Sequence, residues 1–87
     1  MVDFTSARRK DQPAEEMSLR NRLKELRARH DLTQEALAER VGVSRQTIIS
    51  IEKGGYSPSV ALALRIAQVL HVPLEQAFWL ENGEEIV

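Results

Sequence analysis

The stretch from Thr33 to Lys53 constrains this chain more than any other part of it. Thr33 and Ser44 are good helix N-caps, because a hydroxyl there accepts a hydrogen bond from one of the backbone N–H groups that a helix start leaves unpaired. Glu35 then suits the positive end of the helix dipole, and Leu37, Ala38 and Val41 supply an inward face. Gly42 follows directly, in the place where a helix closes on a left-handed residue. Any other L-residue in that conformation costs about 1–2 kcal/mol. Two short helices, 33–41 and 44–53, are therefore forced to meet across a very tight turn at Gly42-Val43, and Gly54-Gly55 stops the second. Ala38 is small enough to let the two approach closely where they cross. Ile48 and Ile51 anchor the second helix to the core, so its other face projects into solvent.

The remainder is helical in pattern. Leu19, Leu23 and Leu26 recur at i, i+4 and i+7, which predicts an amphipathic helix from Leu19 to about His30-Asp31. Basic residues crowd its other positions, and Glu25 and Arg29 can pair one turn apart. Ser57 or Ser59 caps a fourth helix over 60–70, apolar nearly all round, which is either buried or shares a face with a partner. Pro73 at the first helical position starts a short fifth helix, with Leu74, Ala77 and Phe78 facing inward. No segment alternates convincingly as a strand. The expected fold is all-α, a compact five-helix bundle over 17–80, with a flexible arm at 1–16 and an acidic tail at 81–87.

The whole chain is 87 residues, one small domain, which excludes large enzyme folds. With no cysteine there is no disulfide framework, thiol chemistry or Cys-ligated zinc. No apolar run approaches the roughly 18–20 residues that span a bilayer, and the first 17 residues lack the apolar region of a secretory signal. The expected compartment is the cytoplasm, without membrane contact. His30 and His71 have no companions at metal-ligand spacing; the first reads as a surface residue and the second as a helix-end residue. Gly54-Gly55 is not followed by the Lys-Ser/Thr of a phosphate loop, and Glu35 and Glu39 form a solvated face. No enzyme, metal or cofactor is expected.

A tight pair of helices with the second one facing outward is the geometry of a helix-turn-helix, whose second helix enters the major groove of DNA. The stretch Leu32-Thr33-Gln34-Glu35-Ala36-Leu37-Ala38-Glu39-Arg40-Val41-Gly42-Val43-Ser44-Arg45-Gln46-Thr47-Ile48 resembles the Cro/CI-type, or XRE-type, helix-turn-helix regulators. Ile51-Glu52-Lys53-Gly54, Pro58-Ser59, Leu64, Ile66-Ala67 and Leu70 continue the likeness, which spans about residues 19–78. The resemblance implies that the start of the recognition helix reads base edges, which maps to Arg45 and Gln46. The chemistry suits guanine O6/N7 and adenine N6/N7. Ser50, one turn beyond Gln46, points the same way; Ile49, at the edge of that face, either meets thymine methyls or, the preferred reading, packs on a neighbour.

Gln34 resembles the family glutamine that contacts phosphate and braces the recognition helix. Ser44, Thr47, Lys53 and Tyr56 are the further backbone-contact candidates, each of which also reads as a solvated surface residue; Ser44 is a cap first. Glu52 should repel phosphates unless neutralised, and the family pairs this position with a first-helix arginine, here Arg27. The expected partner is double-stranded DNA, bound as a homodimer through the fourth helix (Leu62) and Phe78, Trp79, Leu80, Ile86 and Val87. The alternative for that surface is a protein partner, a toxin or another regulator, as in antitoxins that resemble this family. The function expected is a repressor on a two-fold operator, cytoplasmic and associated with the nucleoid.

A net charge of −1 argues against nucleic acid when taken as one number. Divided along the chain it does not. Residues 17–54 carry eight basic and five acidic side chains, +3, whereas residues 55–87 carry only Arg65 against four acids, −3. Residues 1–16, with Arg8-Arg9-Lys10, account for the remaining −1; that triplet reads as a solvated run or as a touch on the DNA backbone. A basic helix-turn-helix half is joined to an acidic half that should face away from phosphates.

Overall fold

The computed structural model describes residues 17–82. The five expected helices are present: α1 (Leu23–Arg29), α2 (Gln34–Val41), α3 (Arg45–Glu52), α4 (Val60–Val69) and α5 (Leu74–Ala77). A two-stranded antiparallel sheet is added to them. Strand β1 (Met17–Asn21) pairs with β2 (Phe78–Asn82), Leu19 lying opposite Leu80 and Asn21 opposite Phe78. The bundle is therefore mostly helical, closed by a small sheet at its two ends. Expected arm residues 1–16 and tail residues 83–87, with Ile86 and Val87, lie outside the described residues. Glu81 and Asn82 continue β2.

Leu19 corrects the expected start of the first helix. It packs against the core from strand β1, and the helix begins only at Leu23. Asn21 Oδ1 accepts the backbone N–H of Leu23 at 3.1 Å, and the Arg22 N–H goes to the Ala77 carbonyl at 3.2 Å. The leucine spacing is satisfied by a strand-to-helix junction as well as by one continuous helix.

Three of the five helix starts follow hydroxyls. Thr33 Oγ1 accepts from the Ala36 N–H at 2.9 Å, Ser44 Oγ from Thr47 at 3.1 Å and Ser59 Oγ from Leu62 at 3.0 Å, so Ser59 is the cap of α4. Pro73 occupies the cap position of α5, one residue before the expected place. Four helices end on one device, a backbone N–H reaching the carbonyl five residues back: Leu32 to Arg27, Val43 to Ala38, Gly55 to Ser50 and Val72 to Ala67. The preceding residue takes positive φ each time, glycine at Gly42 (81°) and Gly54 (84°), but Asp31 (54°) and His71 (59°) elsewhere.

The core is one cluster in which Leu23, Leu26, Leu37, Ile48, Ile51, Ile66 and Leu70 are fully buried. Helix α4 buries Leu62, Ala63, Ile66 and Ala67 but leaves Val60 and Leu64 exposed, so its all-round apolar character is only partly absorbed by this chain.

A Cβ built on Gly42 would meet nothing within 4 Å, so the requirement for glycine is conformational, not steric. Gly42→Ala should lower the unfolding free energy by about 1–2 kcal/mol, read from denaturant melts. An unchanged midpoint would show that the turn tolerates an L-residue.

Candidate nucleic-acid interface

Helix α3 is held by one face and presents the other. Ile48 and Ile51 are 0% and 1% exposed, while Arg45 and Gln46, on its first turn, are exposed. Ile49 and Ser50 are half-buried. Ser44 Oγ, besides capping, lies 3.0 Å from Thr47 Oγ1. Five of the residues singled out in the sequence, Ser44, Gln46, Thr47, Ser50 and Tyr56, line one shallow depression with Gly55. Ile49 and Lys53 turn instead to a second groove, where Gln34 and Glu52 lie with Asn21, Arg22, Lys24 and Arg27.

The acid on this helix is neutralised from inside. Arg27 Nε and Nη2 donate to Glu52 Oε2 and Oε1 at 2.7 and 3.1 Å, and both side chains are largely buried, 13% and 10% exposed. Gln34 Nε2 donates to Glu52 Oε1 at 3.1 Å, and Arg27 Nη1 donates to the Leu32 carbonyl at 3.0 Å. One carboxylate thus joins α1, α2 and α3. A fork of two charge-assisted bonds fixes direction as well as distance.

Two contributions were not read from the sequence. Asn21 uses both ends of its amide, Oδ1 accepting the Leu23 N–H in a turn that leads into α1 and Nδ2 donating to the Ile51 carbonyl near the end of α3 at 3.1 Å. An asparagine two residues before a leucine-periodic segment is a turn signal, hidden because Leu19 extends the same periodicity. Arg22 lies with its guanidinium carbon 5.3 Å from the centroid of the Trp79 ring. That contact joins residues far apart in sequence and leaves no local signal.

The residues expected to face a second subunit divide. Leu62 and Phe78 belong to the chain's own core, at 5% and 6% exposure, because α4 and the α5–β2 junction fold them inward. Leu62 keeps little exposed surface, whereas Phe78 still lines the groove beside Trp79 and Leu80. Trp79 and Leu80 are exposed, and they edge an apolar groove with Leu19, Pro58, Val60 and Leu74. Among the described residues no helix is long and apolar enough to cross a membrane, and no group of three or more His, Asp or Glu is placed to hold a metal.

A tight helix pair with an anchored, outward-facing second helix defines a helix-turn-helix DNA-binding protein. The helix-turn-helix family model HTH_3 matches residues 23–76, and the chain belongs to that family, the XRE-type transcriptional regulators. It is 54% identical over 66 residues to MJ0272 of Methanocaldococcus jannaschii, an uncharacterized HTH-type transcriptional regulator, covering 76% of this chain and 100% of the relative. It is 32% identical over 56 residues to RstR, a cryptic phage CTXphi transcriptional repressor of Vibrio cholerae, covering 64% of this chain and 50% of RstR. Among solved structures, the restriction-modification controller protein C.AhdI of Aeromonas hydrophila superposes with a TM-score of 0.59 at 31% identity, over 62% of this chain and 82% of that one.

Removing either partner of the Arg27–Glu52 pair strands a charge in a largely buried site. Glu52→Ala should cost about 3 kcal/mol or more, whereas the double substitution Arg27→Met, Glu52→Leu should cost distinctly less. Thermal melts of the three proteins decide. Equal losses in single and double variants would mean that packing, not the unpaired charge, sets the cost.

Proposed function

We propose that this chain is a sequence-specific repressor that binds a two-fold operator as a homodimer and excludes polymerase by occupancy. The observation that carries the reading is the exposure of Arg45 and Gln46 on the first turn of a helix whose opposite face is fixed to the core by Ile48 and Ile51. Side chains that must find base edges in register need such a rigid support. Arg45 suits guanine and Gln46 adenine, each good contact being worth about 1–3 kcal/mol of discrimination. Ser50 extends the reading face, and Ile49 stands at its edge, beside the groove of Gln34 and Lys53. Gln34, Ser44, Thr47, Lys53 and Tyr56 hold the backbone, which positions the protein without reading sequence.

Repression is favoured by the likeness to RstR, which is named as a transcriptional repressor. A second copy of the chain is favoured by the exposed Trp79 and Leu80 beside their apolar groove. Two-fold sites require two recognition helices about 34 Å apart, one turn of DNA. The site of action is the cytoplasm.

Selection from a random DNA pool, followed by salt titration, tests the reading. A two-fold operator should emerge. On it, Gln46→Ala should lose discrimination at one base pair per half-site while keeping weak, salt-sensitive binding. Lys53→Ala should instead weaken all sequences alike and flatten the salt slope by about one unit per half-site. If both variants bind like wild type, the groove assignment is wrong. Size exclusion of the protein expressed alone should give a dimer; a monomer that needs a co-expressed neighbour would favour the antitoxin-like role instead.

A further inference from the structure

The two depressions that flank α3 differ in chemistry. Ser44, Thr47 and Tyr56 make one a hydroxyl-lined face without a formal charge. The other brings Arg22 and Lys24, from the β1–α1 junction, alongside Lys53 at the end of α3. Its only acid, Glu52, is taken up by Arg27 and Gln34. Arg22, Lys24 and Lys53 are all exposed, and none of them forms a salt bridge among the described residues. The groove therefore holds three cations that the fold itself does not neutralise.

A helix lying in a major groove about 12 Å wide has a sugar–phosphate wall on each side. We propose that the groove of Arg22, Lys24 and Lys53 takes the phosphodiesters of one strand, with Arg22 and Lys24 as phosphate ligands and Trp79 as a positioning residue for Arg22. This rests on the DNA-binding reading above and adds an asymmetry to it. One strand is held by neutral hydrogen bonds, the other by charge. Counterion release, and with it the salt dependence, is concentrated on the α1 side. The cation–π contact with the Trp79 ring, 5.3 Å from its centroid, restricts a side chain that otherwise loses considerable rotamer freedom on binding. Strand β2, from the acidic half, thereby takes part in DNA binding through an arginine of the basic half.

The test is a salt titration on the operator selected with wild-type protein. Lys24→Gln and Arg22→Gln should each reduce the slope of log affinity against log salt by about 0.9 per bound protomer. Wild-type affinity then falls about three- to fourfold more steeply per protomer than the variant's between about 50 and 200 mM salt. Preference among operator variants should not change. Trp79→Leu, compared at concentrations where size exclusion gives it the wild-type oligomeric state, should give part of the Arg22→Gln effect and add little when combined with it; a fully additive effect would overturn the positioning role. Arg65→Gln, on α4, should leave the slope where it was. If it lowers the slope equally, the effect is one of net charge and the groove is not the site. If Lys24→Gln and Arg22→Gln both keep the wild-type slope on a bound operator, the groove holds no phosphate. If wild type selects no operator, the DNA-binding reading fails, an outcome distinct from the others.

Discussion

A carboxylate on a helix that must lie against phosphates is tolerable only when its charge is spent elsewhere, and Glu52 spends it on Arg27. The same two hydrogen bonds that remove the repulsion also tie α3 to α1, and the third, from Gln34, ties it to α2. Arg27 reaches further, to the Leu32 carbonyl in the link between α1 and α2. A largely buried pair of this kind contributes little net stability, since desolvation offsets most of the Coulomb gain. Its effect is on geometry. Hydrophobic contacts at Ile48 and Ile51 are non-directional and hold α3 to the core without fixing its rotation as sharply. The fork from Arg27 fixes where the reading face points.

How legible each part was depends on how local its cause is. The helix-turn-helix is written in residues that act on their immediate neighbours: the Thr33 and Ser44 hydroxyls, the left-handed Gly42, and the spacing of Ile48 and Ile51. The two-stranded sheet is not, because Met17 and Asn82 come together only when the whole bundle has closed. Leu19 shows the ambiguity well. Its spacing to Leu23 and Leu26 fits a helix, and it reaches the core equally well from a strand once Asn21 has started the helix at Leu23. Leu62 and Phe78 show a related limit: an apolar side chain carries no mark of how much of it its own core will cover, and both lie largely within that core. The Arg27–Glu52 pairing came from family likeness, and nothing local in the sequence specifies it.

The terminal sheet changes the relation between the halves of the chain. By sequence they are separable, one basic and one acidic. In the folded chain Asn21 at the end of β1 donates to the Ile51 carbonyl of α3, while Trp79 of β2 lies over Arg22. Strand pairing places Asn21 opposite Phe78, next to Trp79, so both links issue from one end of the sheet. A displacement of β2 would be felt at the end of α3 and at Arg22 together. The same strand carries the exposed Leu80 and edges the apolar groove beside it. A net charge of −1 conceals this, since the acidic half supplies the ring against which one cation of the basic half is held.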